Sequence, residues 1–111
     1  MILVVEDEFL VNWTTTDELR SSGHEVVSAF SADEAIQILE SHPEIRVVFT
    51  DIDMPGSIDG LKLAAAVRDR WPPIQVIVTS GKTTPSGLPD KVDFVAKPYT
   101  ANSLLRMISA Y

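Results

Sequence analysis

The sequence predicts a doubly wound α/β domain, in which a mainly parallel sheet of five strands carries helices on both faces. Short β-branched segments alternate with stretches of helical periodicity, as in repeated βα units. The 111 residues are enough for one hydrophobic core and too few for two. Hydrophobic residues make up 45% of the chain and charged residues 23%, as in globular domains. We therefore expect one domain over residues 1–111.

Five segments have the composition of β-strands. Those at 2–5, 46–50 and 75–79 are largely apolar, which is typical of strands covered by helices on both sides. Those at 25–29 and 92–96 mix polar and apolar residues, which favours the edges of a sheet. The first, third and fourth strands are therefore expected at the centre.

Residues 31–40 have the clearest helical pattern. Ser31 and Glu34 have the spacing of a capping box, in which two side chains satisfy the free amides at a helix start. The apolar residues that follow recur at i, i+3, i+4 and i+7 and predict one buried stripe. Residues 60–71 carry a similar stripe and end at two prolines, which cannot continue a helix.

Three further segments complete the chain. Residues 101–110 are predicted to form the last helix, with Thr100 as its N-cap. Residues 9–22 are predicted to form the first helix, ended by Gly23 in a left-handed conformation, although their apolar residues form no clean stripe. Residues 80–91 contain two Pro and two Gly, which favours a loop or a short, irregular helix there.

Charge and composition exclude several classes of function. Nine Lys and Arg against sixteen Asp and Glu give a net charge of −7, the wrong sign for binding a phosphate backbone. The absence of Cys excludes a disulfide framework and a thiolate nucleophile. The opening residues lack the pattern of a signal peptide, and no apolar run approaches the ~20 residues that span a bilayer. We expect a cytoplasmic protein that binds neither nucleic acid nor a membrane directly.

Polar side chains follow four of the predicted strands at their carboxyl ends. Ligands of open α/β sheets bind at that edge, so these side chains are candidates for one site. They are Glu6, Asp7 and Glu8 after the first strand, Asp51 and Asp53 after the third, Thr79 and Ser80 at the fourth, and Lys97, which precedes Pro98, after the fifth.

Crowded carboxylates stay ionised only if a cation compensates them or some of them bind protons. Mg²⁺ prefers one or two carboxylates, several waters and a phosphate oxygen, so the cluster predicts metal-assisted phosphoryl chemistry. One carboxylate would attack phosphorus, while Lys97 and the Thr79 hydroxyl hold the phosphoryl oxygens. Taken singly, the acids also suit a helix start or a turn, and their joint placement favours the site.

The chain resembles the receiver domains of two-component response regulators. The resemblance rests on "VVEDE", "TDIDMPGSIDG", "VTSG" and "AKP", which stand in the family's order at four strand ends. It implies a flavodoxin-like fold with strand order 2-1-3-4-5 and Mg²⁺ as the cofactor. It also implies a signalling switch, phosphorylated by a histidine kinase or a histidine phosphotransfer protein and dephosphorylated slowly by itself, rather than an enzyme.

The resemblance assigns the acids different roles. Asp51 is the phosphoacceptor and a metal ligand, because it lies three residues before the Met-Pro pair. Asp7 is a direct metal ligand, and Glu6 acts through metal-bound water. Asp53 contributes its backbone carbonyl to the metal.

The resemblance also assigns the residues of the fourth and fifth strands. Lys97 pairs with the phosphoryl group, Thr79 is the hydroxyl that moves toward it, and Phe94 is the aromatic residue that follows Thr79. The Lys97–Pro98 bond is expected to be cis. The family's fourth helix falls on residues 80–91, whose irregular sequence favours a monomer, and the downstream target is left unidentified.

Two other functions share parts of this pattern. A phosphatase of the haloacid dehalogenase type would use Asp51 and Asp53 as nucleophile and general acid. That motif follows the first strand, whereas here the acids follow the third. A flavodoxin-like FMN binder needs a phosphate loop after the first strand, where this chain has three acids that would repel the FMN phosphate.

Overall fold

The computed structural model describes residues 1–54, 59–81 and 88–108. Half of the predicted irregular segment at 80–91, residues 82–87, lies outside the described residues, as do positions 109–110 of the predicted last helix. Strands and helices alternate along most of the described chain. They are β1 Ile2–Val5, α1 Phe9–Ser21, β2 Val26–Ala29, α2 Ala32–Ser41, β3 Val47–Asp51, α3 Gly60–Arg70, β4 Gln75–Ser80, β5 Val92–Ala96 and α4 Ala101–Met107.

The five strands form one parallel sheet in the order β2-β1-β3-β4-β5. The predicted order is confirmed, with β1, β3 and β4 at the centre. These three strands are buried at nearly every position because helices cover both of their faces. Strand order reverses between β1 and β3, so the carboxyl ends of these two strands border the place where ligands bind in such sheets.

Helices cover the two faces of the sheet in pairs. Alternate residues of the central strands point to opposite faces, so Val48 and Val76 pack with α2 and α3, while Phe49 and Ile77 pack with α1 and α4. Fully burying one such side chain contributes about 1.5–3 kcal/mol. Among the described residues, no helix has both the length and the apolar character that crossing a bilayer requires.

The helix caps follow the predicted residues. The Ser31 hydroxyl accepts a hydrogen bond from the amide of Glu34 at 3.1 Å, and the Glu34 carboxylate accepts one from the amide of Phe30 at 3.0 Å. Thr100 and Ser103 form a reciprocal capping box at the start of α4. The helix α4 ends at Met107, before the predicted end at 110, because the backbone of the next residue is extended.

The first helix, α1, buries polar residues and exposes apolar ones. Four of its residues are buried: Asn12, Thr15, Thr16 and Leu19. Three large apolar residues are exposed: Phe9, Leu10 and Trp13. This distribution is why the sequence shows no apolar stripe there. The helix ends as predicted, with Gly23 at a φ of 96°.

Candidate functional site

The acids that follow β1 and end β3 meet at the carboxyl edge of the sheet. Carboxylate oxygens of Glu6, Asp7 and Asp51 lie within 4.8 Å of one another. The register explains this approach, because Val5 pairs with Thr50 and the chain then brings the next residue of each strand to the same level. Glu6 and Asp51 are each only 4% exposed, whereas Asp7 is exposed. The cluster is therefore buried on one side and open on the other.

Lys97 supplies a positive charge to this cluster. Its Nζ donates a hydrogen bond to Asp51 Oδ2 at 2.7 Å and lies 3.6 Å from Glu6 Oε1. The amide of Lys97 donates to the carbonyl of Ser80 at 3.0 Å, which fixes the chain leaving β5 beside the end of β4. The Lys97–Pro98 bond is cis, as predicted.

The balance of charge perturbs two titratable groups. Burial raises the pKa of Glu6 to about 7, with Asp7 and Asp51 adding to the rise, while the amide of Glu8 and the charge of Lys97 oppose it. Burial alone would lower the pKa of Lys97, but its hydrogen bond to Asp51 and the nearby negative charges raise it overall. Lys97 therefore stays charged, and Glu6, with a pKa of about 7, is partly protonated near neutral pH.

Without a metal ion, the protein should lose stability as the pH rises toward 7. Native Glu6 keeps its proton between the ordinary value of 4.5 and about 7, a range in which the unfolded chain has released it. The free energy of unfolding therefore falls with pH across that window. Thermal unfolding in a chelator, from about pH 5 to about pH 8, measures this slope. Glu6→Gln should flatten it, and parallel slopes in variant and wild type would contradict the assignment.

The residues that end β4 border Asp51 on the other side. Thr79 pairs with Asp51 in the sheet and is 1% exposed, and among the described residues its hydroxyl has no hydrogen-bond partner. A buried hydroxyl of this kind is available to a ligand oxygen. The Ser80 hydroxyl donates to Asp53 Oδ2 at 2.8 Å, and the amide of Asp53 donates to Asp51 Oδ1 at 2.9 Å.

The site thus contains most of the residues that the sequence predicted for it. Asp51 is the last residue of β3, one position beyond the predicted end of that strand. Asp53 is exposed, and its carboxylate contacts Ser80 rather than joining the three clustered acids. Phe94 is half-buried in β5, where it packs against the hydrophobic core. A cavity of about 340 Å³ opens onto the clustered acids, Asp53 and Lys97.

Sequence reasoning missed two residues around the site. Asn12 of α1 is buried, and its side-chain amide donates to the carbonyl of Glu6. Gly60 begins α3 so close to the end of β3 that a Cβ atom there would lie 2.1 Å from the carbonyl oxygen of Asp51. The absence of an apolar stripe in α1 was the available signal for Asn12, and nothing in the local sequence indicated the contact at Gly60.

Comparison with known proteins agrees with this fold. The family model of the response regulator receiver domain matches residues 2–109. The chain is 28% identical to the response regulator protein FleR of Pseudomonas aeruginosa, over 99% of this chain and 24% of that protein. It is 32% identical to the virulence transcriptional regulatory protein PhoP of Salmonella typhimurium, over 98% of this chain and 50% of that protein.

Solved structures give the same result. The crystal structure of the receiver domain of NtrX from Brucella abortus superposes with a TM-score of 0.83 and 31% identity, covering 96% of this chain and 92% of that one. The chain belongs to the family of response regulator receiver domains. It spans about a quarter of the length of FleR and half that of PhoP.

Receiver domains are signalling domains of two-component systems that take phosphoryl groups from histidine kinases or phosphotransfer proteins, and they are not enzymes in the ordinary sense. The family match confirms the predicted function class. The phosphatase alternative receives no support, and Asp51 lies in β3 rather than after β1, where the phosphatase motif would stand.

Proposed function

We propose that Asp51 is the phosphoacceptor of this receiver domain. The observation that carries the proposal is the 2.7 Å contact between Asp51 Oδ2 and Lys97 Nζ at the end of a central strand. The hydroxyl of Thr79 lies on the neighbouring strand and has no hydrogen-bond partner within the described part of the chain. A carboxylate in this position has a cation and a hydroxyl donor at hand for the oxygens of an incoming phosphoryl group. The carboxylate of Asp53 is exposed and bonded to Ser80, which disfavours it as the nucleophile.

The same proposal assigns a Mg²⁺ site to the acid cluster. Glu6, Asp7 and Asp51 offer only carboxylate oxygens, the ligands that this ion prefers, and Glu6 and Asp51 are buried beside Lys97, whose single charge does not balance three carboxylates. Asp7 and Asp51 would be direct ligands, Glu6 would act through bound water, and Asp53 would contribute its backbone carbonyl. When bound, the ion neutralises charge on the phosphoryl oxygens.

Phosphoryl transfer at this site needs one nucleophilic displacement. A carboxylate oxygen of Asp51 forms a bond to phosphorus as the bond from phosphorus to the imidazole nitrogen of the donor breaks. The imidazole leaves with the electron pair and takes a proton from solvent. Lys97 pairs with the phosphoryl oxygens, and the Thr79 hydroxyl donates to one of them. Water later attacks phosphorus, the bond from phosphorus to the Asp51 oxygen breaks, and inorganic phosphate leaves with the carboxylate of Asp51 restored, which makes the signal self-limiting.

We assign the switch to Thr79 and Phe94. The hydroxyl of Thr79 has no hydrogen-bond partner among the described residues, so it would gain a hydrogen bond by donating to a phosphoryl oxygen. Phe94 pairs in the sheet with Val78, the residue before Thr79, so the two switch residues lie on neighbouring strands. Movement of Thr79 toward Asp51 would alter the space next to Phe94 in β5, and the side chain of Phe94 would move in response.

The donor is proposed to be a histidine kinase or a histidine phosphotransfer protein. A cavity of about 580 Å³ lies between α1 and residues 97–99, and both Leu10 and Lys97 line it. Trp13 is exposed on the same helix, so an apolar surface adjoins the phosphorylation site. A cytoplasmic location belongs to the same proposal, because kinases draw their phosphoryl groups from ATP there. A monomer is proposed because the sequence of residues 80–91, with two Pro and two Gly, is irregular.

Incubation with Mg²⁺ and either acetyl phosphate or a phosphorylated histidine donor tests the function. We expect one added phosphoryl group in the intact mass, dependent on Mg²⁺ and removed by hydroxylamine, as for an acyl phosphate. Trp13→Ser should slow transfer from the protein donor and leave labelling by acetyl phosphate unchanged. Multiple-turnover hydrolysis of a phosphomonoester, with no labelling of the protein, would contradict the proposal.

A further inference from the structure

We propose that Asn12 is a positioning residue for the acid pair Glu6 and Asp7, and that it fixes the backbone from which both carboxylates reach the metal ion. Asn12 lies in α1 and is 1% exposed, and its side chain forms hydrogen bonds to the carbonyls of Glu6 and Ala29 and to the Thr16 hydroxyl rather than to a carboxylate. The inference rests on the Mg²⁺ site proposed above.

The side chain of Asn12 joins the ends of two strands. Its Nδ2 donates one hydrogen bond to the carbonyl of Glu6 at 3.0 Å and another to the carbonyl of Ala29 at 2.9 Å. Glu6 directly follows β1, and Ala29 is the last residue of β2. An amide group has two N–H donors, and Asn12 uses one on each strand end.

The two carbonyl acceptors fix the orientation of this amide, and a third contact agrees with it. The Thr16 hydroxyl donates to Asn12 Oδ1 at 3.2 Å from one turn further along α1. With the amide turned over, Oδ1 would face the carbonyls of Glu6 and Ala29, and three acceptors would meet without a donor. The buried surroundings therefore permit one orientation, the one that donates to Glu6.

The bond to Glu6 matters because the carbonyl of one residue and the amide of the next lie in one rigid plane. The amide of Glu6 is held by the carbonyl of Ala29 at 3.1 Å, and its carboxylate accepts from the amide of Glu8 at 3.1 Å. Asn12 holds the remaining polar group of Glu6, its carbonyl. It thereby sets the plane of the Glu6–Asp7 peptide and the direction in which Asp7 leaves it.

Without Asn12, this peptide plane can rotate between β1 and α1, since Asp7 and Glu8 belong to neither element. Rotation would move the carboxylate of Asp7 away from Asp51. Groups that orient metal ligands typically change metal affinity by about 10–100-fold when they are removed. A residue that served only stability would lower the free energy of unfolding and leave metal affinity unchanged.

Calorimetric titration with Mg²⁺, alongside urea unfolding, separates the two roles. Asn12→Leu removes the donor at similar volume, and Asn12→Ala leaves room for water if the first variant does not fold. Thr15→Val is the matched control, because Thr15 lies on the same buried face of α1 and its hydroxyl bonds to Tyr99 at 2.9 Å rather than to Asn12.

We expect the Kd for Mg²⁺ to rise about tenfold in the Asn12 variants and to stay unchanged in Thr15→Val, although all of them lose some stability. An unchanged Kd in folded Asn12 variants would overturn the inference and leave the proposed function standing. An equal rise in Thr15→Val would also overturn it, because general loosening of α1 would then explain the loss. Failure of the wild type to bind Mg²⁺ would overturn the proposed metal site itself. If neither Asn12 variant folds, the side-chain amide signals of Asn12 in the wild type decide. They should shift together with the backbone amide signal of Asp7 when Mg²⁺ is added, and unmoved Asn12 signals overturn the inference.

Discussion

Asp51→Asn is expected to reduce phosphorylation by acetyl phosphate to background, whereas Asp53→Asn should keep most of it. The amide of Asn has no anionic oxygen to attack phosphorus, and it also removes one carboxylate from the three that offer oxygens to Mg²⁺. Asp53 makes its side-chain contact with Ser80 at the rim, and its backbone amide, which holds Asp51 Oδ1, is unchanged by the substitution.

Intact mass spectrometry after incubation with Mg²⁺ and acetyl phosphate gives the comparison directly. Both variants should keep the fold, since Asn has nearly the shape of Asp and Asp51→Asn removes a charge that opposes ionisation of Glu6. Circular dichroism and thermal unfolding check this. Phosphorylation that survives Asp51→Asn and disappears in Asp53→Asn would show that the exposed acid is the acceptor.

Gly60→Ala is expected to destabilise the protein by about 2–3 kcal/mol, because the new methyl group has no space. A Cβ at Gly60 would lie 2.1 Å from the carbonyl oxygen of Asp51 and 2.6 Å from Cα of Ile52. Both are backbone atoms, so the start of α3 and the end of β3 must move apart. For a domain of this size, we expect the melting temperature to fall by about 10 °C.

Gly81→Ala is the matched control for this effect. Gly81 also lies near the site, yet no atom of the described residues approaches the position of its Cβ within 4 Å, so the substitution should change stability little. Displacement of Asp51 should also slow phosphorylation in Gly60→Ala and not in Gly81→Ala. Equal melting temperatures for the two variants would show that the junction of β3 and α3 can adjust without cost.

The sheet was predictable because burial on both faces demands continuous apolar strands, and three segments of this chain meet that demand. The polar residues that follow the apolar segments then indicated that the candidate site lies at the carboxyl edge of the sheet. The edges of the sheet and the caps at Ser31 and Thr100 followed from equally local rules. These features depend on neighbours in sequence, which is why sequence reasoning reached them.

The supports of the site were harder to predict because they depend on contacts between distant segments. Asn12 bonds to Ala29, seventeen residues away, and in the sequence it counted only against an apolar stripe. The different surroundings of Asp51 and Asp53 arise from Lys97, which follows β5, and from Ser80, which ends β4. The sequence spacing identified both Asp51 and Asp53 as candidates, but only the fold shows that Asp51 contacts Lys97 while Asp53 lies at the rim.

The lone hydroxyl of Thr79 gives the resting domain a bias of its own. A buried donor without an acceptor raises the free energy of a structure by about 1–3 kcal/mol, and among the described residues no acceptor bonds to the Thr79 hydroxyl. Any arrangement that supplies an acceptor recovers this energy, and about 1.4 kcal/mol changes the ratio of two conformations tenfold. A phosphoryl group on Asp51 would supply that acceptor, so phosphorylation would favour the conformation in which the Thr79 hydroxyl bonds to it.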